Sequence, residues 1–593
     1  MSNNRITEIG EIDSISGNNI SVKLFDNIKS NMPIIDGVVY RIGQIGSFVR
    51  IPLGYANLYG IVTQIGAGAI PESLKEAYVK DYDSFKNTSW INIVLAGEQV
   101  GKRFERGVTQ YPTTGDKVHL VTINDLDIIY GGYEDSNSIK VGNISVSESL
   151  DAKLDIDKLI SRHCAIVGST GSGKSNSVSV LMESIAQRAF PSARILIIDP
   201  HGEYNDALLK YSRVLEINPE SSENKLSIPF WALPFNELIK IFSANLSDNN
   251  REYIRERVVD AKIKSAEDNE LGVSKESITA DSPIPFSIKK LWFELDDFER
   301  LTFEKDRITV CDKISEGNIE NLESNVYPPA GLGSSAPFLN MKAKGILSFL
   351  DSMRNKLSDS SYAFLFTPDK LTPDENGKIE EDLDKLFFNW LGNDLPITIL
   401  DLSGIPSEIM ASISGTLLKI IYDGLFWGVK TKVGGKNQPL LIVLEEAHSY
   451  LKAGENSISS RTVQMIAKEG RKYGVGLLLV TQRPSELDET VLSQCGSLIA
   501  LRMNNSKDRA HIRSAVQDEL QSMVDLLPSL RTGEALISGE AVKIPSRVKF
   551  FKIANAPKSS DPKVSEKWLE SIDNKENEYK TLLNSWRNKN YKL

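Results

Sequence analysis

Cysteine is scarce in this sequence. The three present, Cys164, Cys311 and Cys495, stand far apart, so their spacing offers neither a disulfide framework nor a thiolate metal site, and a reducing compartment fits. Basic charge is also short. A formal net charge of -10 excludes a surface coated for nucleic acid, although a basic channel stays open because net charge averages over faces that point different ways. No apolar run is long enough to cross a bilayer, and the opening "MSNNRITEIGEIDS" carries acids where a secretion leader has its apolar core. The expectation is a cytoplasmic protein with no membrane association. Repeats of solenoid period and low-complexity tracts are absent too.

What is present is an ordinary globular balance, 41% hydrophobic and 25% charged residues, in a chain too long for one core. Residues 1–135 read as short β-branched runs punctuated by Gly, Pro and Asn, among them "ISVKLF", "SFVRIP", "YGIVTQIG" and "GDKVHLV". Strands at this spacing predict a small β-barrel, which removes unpaired edges. A polar insertion around Pro71 to Ser89 belongs on its rim. From 136 to 205 the pattern changes to strand, glycine turn, helix and strand, the signature of an α/β unit with a parallel sheet. Residues 206–397 turn helical and charged, and buried-strand runs return over 398–556 in "PITILDLSG", "PLLIVLEEAHSY", "VGLLLVTQRP" and "SLIALRM". This predicts one α/β core interrupted by a mostly helical insertion. "TGEALISGEAVKIPSRVKFFKI" reads as a hairpin, and 557–593 as a helical tail.

The chemistry concentrates in "GSTGSGKS", Gly168 to Ser175, which fits G-x-x-x-x-G-K-[ST] between a strand and a helix. Glycines let successive amides converge on a phosphate, and the following helix lends its unpaired amides and dipole. Gly168, Ser169, Thr170, Gly171, Ser172, Gly173, Lys174, Ser175 and Asn176 are therefore the candidate nucleotide-binding residues. Lys174 is placed on the β and γ phosphates and Ser175 on Mg2+. Glu445 and Glu446 follow the apolar run "LLIVL": the first is placed beside the metal, reaching it through water, and the second orients the attacking water. Gln482, ending another apolar run, is placed to sense the γ-phosphate. Asp199, His201 and Glu203 in "DPHGEY" are read as ordering the nucleotide or relaying its state, with direct metal ligation as the alternative; His448 is read as structural. A charge-neutralising arginine from a neighbouring subunit is sought in "RTVQMIAKEGRKYGVG", with Arg471 first and Arg461 and Arg531 behind it.

Together, the N-terminal β unit, "RHCAIVGSTGSGKSN", "IIDPHGEY", "LIVLEEAH", "KEGRKYGVGLLLVTQRP" and "TGEALISG" resemble the HerA family of hexameric DNA-translocating P-loop ATPases, relatives of FtsK. The likeness is sharp over residues 1–205 and 398–552. It implies a RecA-like α/β core using ATP and Mg2+, a homohexameric ring around double-stranded DNA, and an N-terminal barrel that docks an effector. That effector is a nuclease of the NurA kind in DNA-end resection, or an antiviral-defence protein such as a Sir2-like NAD-consuming enzyme. By the same likeness Lys174 and Ser175 contact nucleotide and metal, Glu446 activates water and Gln482 senses. The rival expectation is a ring scaffold whose nucleotide state switches an effector with little or no translocation. Basic residues of the insertion and near Arg502 are candidate pore residues.

Overall fold

The computed structural model describes residues 7–25, 34–35, 38–39, 44–67, 89–101, 103–133, 136–145, 147–188, 190–217, 219, 221–242, 246–332, 335–515, 521–557, 564–572 and 575–587. The polar insertion around Pro71 to Ser89 lies, up to residue 88, outside them.

Strands β1 (Glu8–Ser16), β2 (Asn19–Leu24), β3 (Phe48–Leu53), β4 (Ala56–Ala67), β5 (Ser89–Val100), β6 (Arg103–Arg106) and β7 (Lys117–Leu120) form the N-terminal sheet. Its order is β2-β1-β7-β3-β4-β5-β6, and β2 also pairs with β5. Six strands therefore close into the expected barrel, with β6 appended as a hairpin on β5. Alternation drives this: Ile20, Val22 and Leu24 of β2 are buried with Ile91 and Ile93 of β5 and Val49 and Ile51 of β3, while intervening side chains face outward. Phe48, Tyr59 and Phe104 instead join the main core of the protein. Helix α1 (Ile123–Tyr130) seals the junction. Its Thr122–Asp125 capping box fixes its start, and the Asp125 carboxylate also accepts from the Tyr59 hydroxyl at 3.2 Å and pairs with Arg50 at 3.4 Å.

The second sheet has eleven strands. They are β8 (Ser138–Ile144), β9 (Ser147–Asp155), β10 (Cys164–Val167), β11 (Arg194–Asp199), β12 (Ser212–Glu216), β13 (Ile397–Asp401), β14 (Leu440–Leu444), β15 (Val475–Thr481), β16 (Ser497–Leu501), β17 (Glu534–Gly539) and β18 (Ser546–Phe550). Their order is β9-β8-β18-β17-β16-β10-β15-β14-β11-β13-β12. From β16 to β12 all neighbours run parallel, while β17, β18, β8 and β9 add an antiparallel edge. The parallel strands β10, β11, β13, β14, β15 and β16 are buried along their whole length, as strands covered on both faces must be. Helix α2 (Lys174–Gln187) follows β10; α3 (Met410–Trp427) and α4 (Ile458–Glu469) cross where Gly415 lets their backbones meet, since a Cβ there would lie 2.4 Å from Ile458.

Residues 206–397 are only partly an insertion. Ser212–Glu216 returns to the sheet as its outermost strand beside β13, and the helices Asp248–Asp268, Ile288–Arg300, Leu347–Ser358 and Leu383–Leu391 come after it. Their core holds Lys262, 1% exposed, whose ammonium donates to the carbonyls of Trp231, Ala280 and Ser282 at 3.2, 2.8 and 2.6 Å. The tail carries the helix Lys575–Arg587, with no buried residue.

His163, just before β10, holds the sheet to its helix layer. The backbone amide of Leu477 donates to Nδ1 at 3.1 Å, so Nε2 carries the proton and donates to the Ala467 carbonyl at 3.1 Å. Protonating Nδ1 would break this arrangement, and burial lowers the imidazole to about 4. An unfolded chain binds this proton from its ordinary value of 6.5 downward, so stability falls as pH drops between those limits, by roughly 3 kcal/mol. Denaturant unfolding at pH 7 and pH 4.5 should show that component in the wild type and not in His163→Gln.

Candidate functional site

The residues singled out in the sequence sit on successive strand ends of the parallel sheet, at its C-terminal edge, where ligands bind in open α/β sheets. In space the order is Arg502 after β16, the glycine loop after β10, Gln482 after β15, Glu445 and Glu446 after β14, and Asp199 to Glu203 at the end of β11.

The loop is built from the backbone outward. The Gly168 amide donates to the Thr481 carbonyl at 3.3 Å and the Ser169 amide to the Arg502 carbonyl at 2.9 Å, stringing its start between the ends of β15 and β16. Gly173 takes φ 101° at the N-cap of α2, a conformation that favours glycine. Three groups then reach the loop from outside it: Gly533 N donates to the Ser172 carbonyl at 2.9 Å, Arg502 Nη2 to the Gly171 carbonyl at 3.3 Å, and Thr532 Oγ1 to the same carbonyl at 3.4 Å. With those carbonyls held, the amides that begin α2, at Lys174, Ser175 and Asn176, precede any helical acceptor and point to an anion.

The expected side chains converge on this loop. Thr170 Oγ1 donates to Gln482 Oε1 at 2.6 Å, and Ser175 Oγ donates to Glu203 Oε2 at 2.7 Å. Lys174, 8% exposed, acts on Glu446 through its charge. Glu446 stands at φ 45°, in a left-handed turn just after the end of β14. His448 Nδ1 lies 3.2 Å from Glu446 Oε2 and 3.1 Å from Thr481 Oγ1. The first contact has ion-pair distance without hydrogen-bond geometry, and Oε2 keeps no protein hydrogen-bond partner. Burial alone would raise the Glu446 carboxyl; the His448 contact and the Lys174 charge outweigh it and hold the group below the usual carboxylate range.

Several assignments change. Glu445 was placed beside the metal. It is instead 1% exposed and accepts from the Tyr204 hydroxyl at 2.5 Å, and burial, together with the charges of Glu203, Asp199 and Glu446, pushes it well above the usual carboxylate range. The acid on the Ser175 hydroxyl is Glu203. Asp199 shapes the turn that delivers Glu203: Oδ1 accepts from the amides of His201 and Gly202 and Oδ2 from that of Tyr204, and burial raises it to about 6. His201 is exposed and contributes its backbone. Among the described residues no group of three or more His, Cys, Asp and Glu could hold a metal ion, so the metal-ligand alternative for this cluster has no support. The Asn176 side chain is tied to the Phe551 carbonyl and the Ile553 amide, leaving only its backbone to the loop. Arg502 supports the loop and is no free pore residue. Arg531 opens the turn that carries Thr532 and Gly533 against the loop of its own chain, Arg461 is exposed on α4, and Arg471 lies at the opposite, N-terminal edge of the sheet beside Val475. His448, read as structural, touches the site, and its place two residues after Glu446 in "EEAH" was the available signal.

A phosphate loop, an acid and an amide on neighbouring parallel strand ends define a P-loop ATPase with a RecA-like α/β core, an N-terminal barrel and a helical insertion. The family model described as "Helicase HerA, central domain" matches residues 139–421, and "Helicase HerA-like C-terminal" matches residues 410–582. The chain belongs to the HerA helicase family. It is 27% identical over 459 residues to the DNA double-strand break repair helicase HerA of Sulfolobus acidocaldarius, covering 77% of each chain. To the enzyme of the same name from Sulfurisphaera tokodaii it is 28% identical over 483 residues, 80% of each. A probable helicase of Methanocaldococcus jannaschii aligns over 544 residues at 24% identity, covering 90% of this chain and 91% of that one.

Because His448 helps keep Glu446 ionised, His448→Ala should move the acid limb of the pH profile of ATP turnover to higher pH, while His448→Gln changes maximal turnover less than the alanine variant does. Steady-state turnover between pH 5 and 8 reads both.

Proposed function

We propose that the protein is an ATP-driven motor that moves along double-stranded DNA as a homohexameric ring in the cytoplasm, acting with an effector held at its barrel end. The observation that carries this reading is the convergence of Gln482, Glu203 and Glu446 on one glycine loop from three different strands of one sheet. The names of the curated relatives support DNA as the track.

The residues present fit ATP and Mg2+. Ser172 Oγ, inside the loop, and Glu446 Oε2 are both buried without a hydrogen-bond partner, and a Cβ on Gly168 would fill the turn, lying 2.6 Å from Ser172 Oγ. Ser175 and, through it, Glu203 would hold the metal, which supplies positive charge to the phosphate oxygens when bound. Lys174 binds the same phosphates. Glu446 accepts the proton of the attacking water. Gln482, held by Thr170 in this structure, trades that contact for the γ-phosphate and so reports nucleotide state to β15.

In a ring, Arg471 meets the nucleotide of the neighbouring copy, since it stands across the sheet from its own loop. The effector, a nuclease of the NurA kind or a Sir2-like defence enzyme, has a surface available on the barrel. Tyr55 and Val100, 72% and 48% exposed, occupy adjacent hairpin ends where Ala56 pairs with Val100. No helix among the described residues is long and apolar enough to cross a membrane.

Three measurements test the motor. Lys174→Ala should lose nucleotide binding, and Glu446→Ala should keep binding while turnover falls about 100-fold or more; normal turnover by the Glu446 variant removes its assignment. Duplex DNA should stimulate wild-type ATPase, and normal basal turnover with no stimulation by any nucleic acid would instead favour the scaffold. Doping Arg471→Ala subunits into wild-type rings should lower activity more steeply than their proportion, as a residue acting across an interface requires.

A further inference from the structure

The turn that supports the glycine loop is itself held by one carboxylate. In "RTGE", Arg531 to Glu534, the Glu534 amide donates to the Arg531 carbonyl at 3.0 Å and closes a four-residue turn. Gly533 stands there at φ 78°, in the third position, where such turns favour glycine. Arg531 and Thr532 are exposed, so hydrogen bonds rather than packing fix this turn. Glu534 is only 5% exposed, and one of its oxygens, Oε2, accepts from the Arg531 amide at 2.9 Å and from Arg547 Nη2 at 2.7 Å. Burial alone would raise this carboxyl; the Arg531 amide and the charges of Arg547 and Arg531 outweigh it and hold the group below the usual carboxylate range. The carboxylate thus ties the two ends of the turn to each other and to β18, whose Phe550 amide also donates to the Gly533 carbonyl at 2.9 Å.

The consequence lies in the glycine loop. In a trans peptide unit the C=O and the N–H point in opposite directions. The Ser172 carbonyl accepts from Gly533 N at 2.9 Å, so the Gly173 amide of the same peptide unit points the other way, off the supporting turn. Thr532 Oγ1 holds the preceding carbonyl, that of Gly171, at 3.4 Å. Amides directed in this manner are what a phosphate loop offers its ligand. Their direction depends on where Thr532 and Gly533 stand, and these two stand where the Glu534 clamp puts them.

We infer that Glu534 is a positioning residue for nucleotide binding, its carboxylate holding the Arg531–Gly533 turn so that the turn keeps the loop amides directed at the phosphates. Glu534 acts through the turn, without touching nucleotide or reacting atoms. This role rests on the reading of the glycine loop as the nucleotide site and on nothing in the motor or ring.

The test uses the full chain, with calorimetric titration of ATP and of inorganic tripolyphosphate beside steady-state turnover. Glu534→Gln keeps the size and removes the charge. It should weaken both ligands by the same factor, about tenfold, and raise KM for ATP alike. Its kcat should stay within about twofold of wild type, because Lys174, Glu446 and Gln482 are untouched. A carboxylate that served only stability would instead lower the melting temperature and the active fraction, and with it kcat, at unchanged KM. Arg547→Gln, at a side chain 40% exposed, releases the carboxylate from β18 and should raise KM several-fold, carrying the test if Glu534→Gln does not fold. Exposed Thr532→Val should weaken ATP binding a few-fold in the wild type and add nothing in the Glu534→Gln background, since both changes act on one turn. Wild-type KM and affinity in the Glu534 and Arg547 variants, a loss confined to ATP and absent with tripolyphosphate, or full additivity with Thr532→Val would each overturn the role. Normal nucleotide binding by Lys174→Ala would overturn the loop reading itself, whereas its loss beside a normal Glu534→Gln protein would remove only the role of Glu534.

Discussion

A loop that grips phosphate must turn its amides inward, and its carbonyls, equally obligatory hydrogen-bonding groups, must be satisfied elsewhere. Here that constraint is met by parts of the chain hundreds of residues away. Gly533, Thr532 and Arg502 take the carbonyls of Ser172 and Gly171, and Arg502 and Thr481 accept the first amides of the loop. The antiparallel edge strands β17 and β18 therefore have a purpose beyond enlarging the sheet. They carry the Arg531–Gly533 turn against the loop, and the Phe551 carbonyl just after β18 anchors Asn176 at the start of α2. A Cβ on Gly173 would lie 3.0 Å from Gly533 N, so the loop and its support meet with no side chain between them.

Four acids crowd the same strand ends, and the structure deals with each differently. Asp199 is wrapped by three backbone amides and shapes a turn. Glu445 is buried against the Tyr204 hydroxyl, and burial with the neighbouring acids drives it toward its neutral form. Glu203 takes the Ser175 hydroxyl. Glu446 is drawn toward the ionised form by the His448 contact and the Lys174 charge, with an oxygen left without a hydrogen-bond partner. Environment, not residue type alone, sets how neighbouring carboxyls in one site titrate. Here burial and the neighbouring acids raise Glu445 against the lowering effect of the Tyr204 hydroxyl, while His448 and the Lys174 charge lower Glu446 against burial.

What was legible in the sequence follows physical lines. Runs such as "LLIVL" and "VGLLLVT" have one stable fate, a strand covered on both faces, and the barrel strands announce themselves by alternation. The glycine loop is legible because its backbone geometry tolerates few residue types. Ser212–Glu216 was read as part of the insertion because an edge strand is covered less, and "SRVLE" carries two charges. Glu203 and Glu445 could not be told apart by position, since which acid meets Ser175 depends on the turn that Asp199 builds and on where Tyr204 points. His448 reaches Thr481 across 33 residues of sequence, and Arg502 reaches Gly171 across 331; no local pattern encodes either contact.

The sheet gives the protein two edges of different chemical character. At the C-terminal edge, strand ends and helix amides form a cradle for a phosphate, and the acids there are restrained one by one. At the N-terminal edge stand the basic groups, Arg194, Lys436 and Arg471, around a groove. Between the two, β10, β14 and β15 are buried throughout and share one register of parallel hydrogen bonds, with His163 fastening the start of β10 to β15 and to the end of α4. β15 runs from Val475, which lines the basic groove, to Thr481 beside Gln482, and close packing along it makes it a stiff connection between the two edges. Gln482 and Arg471 thus stand at the two ends of one short strand that is buried along its whole length.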